Sequence, residues 1–572
     1  MKKTSITIFI AILSNILLAQ NPTYEWAKQF GGTSTDYAYS IAADSAGNVY
    51  TTGFFQGTVD FDPGANTYNL VSAGLSDIFI SKVDASGNFV WAKRIGGIAS
   101  DYGFALTLDK YSNVYVTGYF KGVADFDPGA NTFNLTPTGS FDVFIAKFDA
   151  AGNFGWAKKF DGASDESCTS IKVDDFGNIY TVGSFNSATD FDPGANTATL
   201  TPLGSTDIFI SKLDAAGNFV WVKQMGGVGL DAGKAITVDA TGNIYVTGYF
   251  LGTSDFDPST NTANLTSAGV EDIFVSKLDA SGNFLWAKSF GGTSADYGLS
   301  IAVDATGNVF TTGFFYGTAD FDPSTNTNNL TSAGQDDFFI SKLDASGNFV
   351  WVKQIGSTSY DEAKSITMDA SSNLYIAGSF NGTVDFDPNL NTTNLTSAGG
   401  DDVFICKLDP SGSFVWAKSF GGTLNDYATS IKIDASNKIY TAGYFSGTGD
   451  FDPSVNTSNL ISAGSTDAFI HKMNQGLTTN ISENNISVAL HLFPNPANDQ
   501  INLIFDSQLT NANIRLVNSI GQTIFEKRNL NGSNFSFDVS EHATGIYFLE
   551  IINSGTVYKT IFIKSWYIVE II

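Results

Sequence analysis

The sequence predicts an all-β chain in two parts, and three observations predict it. A 65-residue unit recurs seven times without one insertion. β-branched and aromatic residues fill its short segments. No segment sustains the 3.6-residue apolar period of a helix. Composition fits a packed chain and not a disordered one: 43% of residues are hydrophobic and only 15% are charged. With 57 acidic against 30 basic side chains the formal charge is −27. That balance excludes nucleic acid as a partner, because a phosphate backbone needs a basic footprint.

The chain opens with Lys2 and Lys3, an apolar run over residues 6–18, and a small residue, Ala19. This order predicts a secretory signal peptide over residues 1–19, with an apolar run too short for a permanent anchor. No later stretch is long and apolar enough for a membrane helix, so no transmembrane segment is expected in the mature chain. Cys168 and Cys406 fall at different phases of the repeat and predict neither a disulfide nor a thiolate site.

The repeat occupies residues 20–474. Trp26, Trp91, Trp156, Trp221, Trp286, Trp351 and Trp416 follow one another at 65-residue steps, as do the Phe-Asp-Pro triplets that begin at Phe61. In the fifth copy, strands are expected at residues 300–304, 309–315, 337–343 and 349–354. Gly347 supplies the positive φ of the hairpin between the last two. Four strands repeated seven times is the arithmetic of a seven-bladed β-propeller. The phase supports closure. Residues 24–29 form an isolated fourth strand, and the last copy stops after its third, at residues 467–473. The N-terminal strand is expected to complete the seventh blade and remove an exposed edge.

Most recurring residues read as scaffold. The tryptophans, Phe79 and Phe55 with their equivalents are expected to fill the space between blades. Gly53 and its equivalents allow close backbone approach. Lys82-type and Lys93-type residues are expected on solvated strand positions or beside aspartates. Asp44 and Asp84 read as hairpin residues that cap backbone amides.

The patterns DxxGNxYxTGxF, GTxDFDP and DxFxxKLDxxGNFVWAK, seen in the fifth copy at residues 304–315, 317–323 and 337–353, resemble the SBBP-type beta-propeller repeats of secreted bacterial proteins. The resemblance covers residues 24–474 and implies the fold; the family has no single agreed activity.

After a polar linker at residues 475–487, residues 488–564 alternate as short strands, consistent with a small Ig-like β-sandwich. Phe493-Pro-Asn-Pro496, Val517-Asn-Ser-Ile-Gly-Gln522 and Gly545-Ile-Tyr-Phe-Leu-Glu550 resemble the C-terminal sorting domain (type A) of Bacteroidota type IX secretion substrates. The resemblance implies the type IX machinery as a partner, export through the periplasm, and release or attachment at the outer cell surface. An atypical apolar tail, residues 565–572, continues past Lys564. His491 and His542 read as surface residues.

Two sets of residues are candidates for function. The loop over residues 57–76 is 20 residues long and carries oxygen ligands at Asp60, Asp62 and Asn66. Asp125, Asp127 and Asn131, and Asp320, Asp322 and Asn326, repeat the set, which suits calcium; Asx turns within a loop hairpin explain the same residues. Asp36, Asp101, Asp296 and Asp426, each followed by an aromatic (Tyr37, Tyr102, Tyr297 and Tyr427), are expected on the same face as a ligand surface. A nearly uniform ring offers no unique acid, base or nucleophile, so the expected function is a non-enzymatic surface or adhesion module for an extracellular glycan or protein. A polysaccharide- or peptide-acting enzyme and a structural surface-layer component are the alternatives.

Overall fold

The computed structural model describes residues 21–475 apart from 390, and residues 490–564 apart from 495, 496, 498, 519–522 and 554–555. The expected signal peptide, the linker beyond residue 475, the tail 565–572 and parts of the Phe-Pro-Asn-Pro and Val-Asn-Ser-Ile-Gly-Gln motifs lie outside the described residues. The chain divides into two units after Gly476. Among the described residues every regular element is a strand.

The first copy shows the plan of the N-terminal unit. Strands Tyr37–Ala43, Val49–Phe55, Asp77–Val83 and Phe89–Gly97 pair antiparallel in that order. The two middle strands are buried almost throughout, which explains their continuous apolar and β-branched composition. At the turns, Asp44 Oδ1 accepts from the backbone N–H of Ala46 (3.0 Å) and Asn48 (2.9 Å), and Asp84 does the same for Ser86 (2.8 Å) and Asn88 (2.9 Å). These are Asx turns. Asp44 Oδ2 also accepts from the hydroxyl of buried Tyr50 (3.2 Å). Gly53 lies so close to the backbone of Tyr37 that a Cβ would strike the Tyr37 carbonyl oxygen, so a side chain there has no room.

The long loop folds on itself. Thr58–Asp60 pairs with Asn69–Val71, and the Phe61 N–H donates to the Tyr68 carbonyl (3.0 Å). Phe61 turns inward against Phe55 and Phe79, at centroid separations of 5.5 and 5.1 Å. Its six equivalents are all fully buried, so the phenylalanine of each triplet anchors its loop to the core. Among the described residues, six of the seven loop hairpins also pair with the strand end before them: Gly32 pairs with Val59, and Gly97 with Ala124.

Neighbouring copies are joined by repeated hydrogen bonds. The hydroxyls of Ser40, Ser170, Ser300 and Ser365 accept the backbone N–H of Leu106, Ile236, Ile366 and Ile431 one copy further on, at 3.1–3.3 Å. Lys82 Nζ donates to the Ala150 carbonyl (3.1 Å) and lies over the Tyr50 ring, and Lys277 repeats this with Ala345 and Tyr245. These lysines tie one copy to the next, which corrects their expected place as solvated strand residues. Trp26, Trp91 and Trp286 donate to the carbonyls of Ala85, Ala150 and Ala345, each at 3.3 Å. Gly87, at φ +78°, lies against Trp26, so the tryptophans seal the seam over the neighbouring hairpin while remaining partly exposed.

The last copy is linked to the first in the same way. Thr23–Gly32 pairs antiparallel with Asp467–Asn474, with Ala27 opposite His471 and Phe30 opposite Ala468. Ser430 Oγ accepts the Ile41 N–H (3.4 Å), and Lys472 Nζ donates to the Ala85 carbonyl (2.7 Å). The inner strand Tyr37–Ala43 thus contacts Asp426–Ile433 on one side and Tyr102–Leu108 on the other.

Among the described residues, the strands of the C-terminal unit form one five-stranded antiparallel sheet. Gln500–Asn518 lies between Leu490–Phe493 and Gly545–Asn553, Thr556–Lys564 follows, and Thr523–Asp538 pairs with Gln500–Asn518. Where short strands are expected, residues 500–518 form one element, because the polar stretch in its middle pairs with Thr523–Asp538 in an irregular register. Ile501, Leu503, Ile514, Leu516 and Leu549 form its core.

Phe30 tests the joined ends, being buried on the N-terminal strand against Phe61, 5.7 Å away. Phe30→Ala is expected to cost about 3–5 kcal/mol in urea denaturation. A loss below about 1 kcal/mol, the size expected of a surface site, would show that the strand is not packed there.

Candidate functional site

Every inner strand carries a β-bulge at the same point. In the first copy the register with the next strand shifts between Ala38 and Ser40, leaving Tyr39 as the extra residue, and the other six copies shift at the equivalent place. A bulge re-aims the unpaired side chain out of the ladder. The seven bulge residues are Tyr39, Phe104, Thr169, Lys234, Leu299, Lys364 and Thr429, and all seven line one cavity of about 440 Å³. Ser167, Tyr427, Ala428 and Tyr444 complete its wall. The lining combines aromatic rings, hydroxyls and two ammonium groups, and contains no carboxylate.

Charge in the cavity is unevenly shared. Lys364 forms an ion pair with Glu362 and lies over the Phe314 ring at 5.4 Å. Lys234 lies over the Tyr249 ring at 5.2 Å; burial and then the Lys364 ammonium hold it below the ordinary lysine range. Thr169 and Thr429 donate to the carbonyls of Gly233 and Ala38, both at 2.8 Å, which fixes their hydroxyls within the wall.

Of the aromatic half of the expected ligand surface, Tyr427 lines this cavity and the other three tyrosines pack on neighbouring rings. Tyr37 stacks on Tyr444 (3.8 Å, 11°), Tyr102 meets Phe54 (4.8 Å), Tyr297 meets Tyr249 (4.8 Å), and Tyr427 meets Tyr444 (5.1 Å). The Tyr427 hydroxyl donates to Asp401 Oδ2 at 2.7 Å.

The carboxylate half is not a surface. Asp36, Asp101, Asp296 and Asp426 are fully buried, and so are Glu166, Asp231 and Asp361 in the remaining copies. Asp36 accepts the backbone N–H of Gly32 (2.7 Å) and of Gln56 (3.0 Å), and Asp101 that of Gly97 (2.8 Å) and Lys121 (2.9 Å). Asp296 and Asp426 make the same pair of contacts. Each of the six aspartates staples the end of a fourth strand to the loop after the next second strand, whereas Glu166 accepts instead from the hydroxyls of Ser187 and Thr189. Amide donors exposed where a strand leaves its sheet need an acceptor, and a carboxylate accepts two at once.

The loop aspartates act locally. Asp60 Oδ1 accepts from the N–H of Asp62 (3.0 Å) and Tyr68 (2.8 Å), and Asp62 Oδ1 from that of Gly64 (2.8 Å). Asp125 and Asp127 repeat this with Phe133 and Gly129, and Asp320 and Asp322 with Asn328 and Ser324. Asn66, Asn131 and Asn326 are exposed. Among the described residues no group of three or more histidine, cysteine, aspartate or glutamate side chains is placed to hold a metal ion. Asx turns account for Oδ1 of each of these aspartates.

His471 is buried, with Nε2 3.0 Å from the Phe451 carbonyl oxygen and its ring stacked on Phe420; burial lowers its pKa to about 3. Cys168 and Cys406 are buried free thiols.

The lysines and hydroxyls of the cavity were not among the expected site residues. Their signal in the sequence is a departure from repetition: the bulge position is tyrosine, phenylalanine, threonine, lysine, leucine, lysine and threonine in successive copies. A search for repeated residues passes over it.

Comparison with known proteins agrees with this architecture. Residues 25–53, 90–119, 220–249 and 350–384 match the family described as Beta-propeller repeat, and residues 491–565 match the Secretion system C-terminal sorting domain. The chain therefore carries beta-propeller repeats and a type IX sorting domain, which directs export to the cell surface or the medium. It is 25% identical over 443 residues to an uncharacterized WD repeat-containing protein of Acanthamoeba polyphaga mimivirus, a match that covers 64% of this chain and 32% of that one. It is 27% identical over 233 residues to the regulatory protein FlaEY of Caulobacter vibrioides, covering 39% and 23%. The chain thus spans a third or less of the length of these curated relatives. A structural genomics protein of unknown function from Bacteroides thetaiotaomicron aligns at 10% identity with a TM-score of 0.25, over 79% of this chain and 98% of that one. Among the described residues no helix is long and apolar enough to cross a membrane.

The buried staples set a pH dependence. Burial, opposed in part by backbone amide and serine or threonine hydroxyl donors, raises Asp36, Asp101, Asp231 and Asp361 to about 6 and Glu166, Asp296 and Asp426 to about 7. Between about pH 4 and pH 7 the folded chain therefore holds more protons than the unfolded one, and stability falls as pH rises through that window. Asp214, held low chiefly by the Asn218 backbone N–H, acts oppositely and loses its contribution only in stronger acid. Melting curves should give the highest Tm at about pH 4 and a decline toward pH 8; a Tm that climbs steadily to pH 8 contradicts this assignment. A chelator is expected to leave the Tm unchanged, and a drop on chelation would return a cation to the Asp60-type loops.

Proposed function

We propose that the exported chain is a non-enzymatic binding module: a seven-bladed β-propeller closed by its N-terminal strand, with an Ig-like sandwich for sorting, that receives an extracellular glycan or protein segment at its axial cavity. The observation that carries the proposal is the convergence of seven bulge residues, one from each copy, on a single cavity. Its volume of about 440 Å³ lies within the range of ligand pockets, and its mixed aromatic and polar wall suits recognition. Binding is a better reading than turnover because the wall holds no carboxylate, histidine or cysteine to act as acid, base or thiol nucleophile. The uniform ring of loops is scaffold, so a single asymmetric axial site replaces the multivalent face expected from repetition.

Screening of purified protein on glycan arrays and bacterial surfaces tests the reading. Tyr39→Ala combined with Phe104→Ala should weaken binding at least tenfold, whereas Val455→Asp, on a fully exposed loop residue, should leave it unchanged. Binding that survives the double substitution places the ligand elsewhere.

A further inference from the structure

We infer that the axial cavity is a receptor site for a saccharide end that carries a carboxylate, with Lys234 and Lys364 as its countercharges. The inference rests on the cavity reading above and names its ligand class.

Positive charge is scarce in this chain, at 30 basic against 57 acidic residues, and most repeat lysines have scaffold work. Lys82, Lys212, Lys277, Lys342 and Lys472 donate to hairpin carbonyls of another copy. Four others stand on inner strands, at positions where the remaining copies carry neutral residues: Lys172, Lys234, Lys364 and Lys432. Lys234 and Lys364 are two of the seven bulge residues and point into the cavity. Lys172 and Lys432 belong to the third and seventh copies, whose inner strands are not neighbours, yet their side chains come within hydrogen-bonding reach of each other. Side chains from non-adjacent strands of a ring meet only across its middle.

Among the described residues, Lys172, Lys234 and Lys432 form no ion pair with a carboxylate. The Lys172 ammonium depresses Lys432 far below the ordinary lysine range, and burial acts in the same direction. In the cavity, Lys234 and Lys364 share one ion-paired carboxylate, Glu362, which holds Lys364, and a bound anion supplies the charge that Lys234 lacks. The chain's overall acidity meanwhile repels long polyanions, so the site selects an anionic group small enough to enter.

The rest of the wall identifies what carries that group. Tyr39, Phe104, Tyr427 and Tyr444 offer flat apolar faces beside the fixed hydroxyls of Thr169 and Thr429. Flat rings beside hydroxyl partners suit a sugar, whose two faces are apolar and whose edge is polar. A naked inorganic anion would leave those rings unused.

Calorimetric titration and thermal shift with digalacturonate, a sialyl-terminated trisaccharide, their neutral counterparts and inorganic phosphate test the assignment in the full exported chain. At least one acidic saccharide should bind and raise the Tm, with its neutral counterpart at least tenfold weaker and phosphate without effect. Lys234→Met combined with Lys364→Met should weaken binding at least tenfold. Lys172→Met should raise the Tm of the free protein, which a lysine of purely structural value would not do. Failure of every acidic saccharide to bind, equal binding of phosphate, or full binding by the double lysine variant overturns the inference. If binding withstands the lysine changes but is lost with Tyr39→Ala and Phe104→Ala, the carboxylate assignment falls and the cavity reading stands. If it withstands both, the cavity reading falls as well.

Discussion

The antiparallel ladder between Thr23–Gly32 and Asp467–Asn474 is the contact on which the N-terminal unit depends. Without it, Asp467–Asn474 would present an unpaired edge, and the first copy would lose the neighbour that supplies Ser430 to Ile41 and Lys472 to Ala85. Most junctions between copies draw on the same short set: a serine hydroxyl on a backbone amide, a lysine on a hairpin carbonyl, a loop hairpin on a fourth strand. These contacts of modest strength link the last copy to the first as well as each copy to the next, because the chain returns to its start.

Closure also explains where the acids went. Where a fourth strand ends and the next loop hairpin begins, backbone amides leave the regular ladder inside the protein. Asp36 and its equivalents fill that gap, each accepting two or more hydrogen bonds in a dry site. The same seven carboxylates that suggest an acidic surface when read in one dimension are internal fasteners in three. Burial raises their proton affinity, so a structural device leaves a trace in the response to acid.

Function, by contrast, is concentrated where repetition fails. Bulges at one point of each inner strand turn seven side chains of five kinds into one cavity, and the positive charge collected there sits inside a strongly acidic protein. The scaffold positions are uniform because each must fit an equivalent seam. The bulge residues are released from the ladder and carry no such requirement, which leaves them free to specialise.

Much of this was legible in the sequence by itself. The 65-residue period, the four strands of each unit, the Asx turns at Asp44 and Asp84, the tight approach at Gly53 and the complementary ends follow from local rules, because turn chemistry and period-two patterning act over a few residues. The sorting domain was equally plain in its motifs. Only the tertiary structure decided that Asp36 faces inward, that Lys82 joins two copies, and that Lys172 meets Lys432 across the ring. Those outcomes depend on which residues some 65 or 260 positions apart come together, and on a one-residue bulge that reverses the direction of a side chain. Neither leaves a mark in local sequence, since a strand with and without a bulge is built from the same residue types.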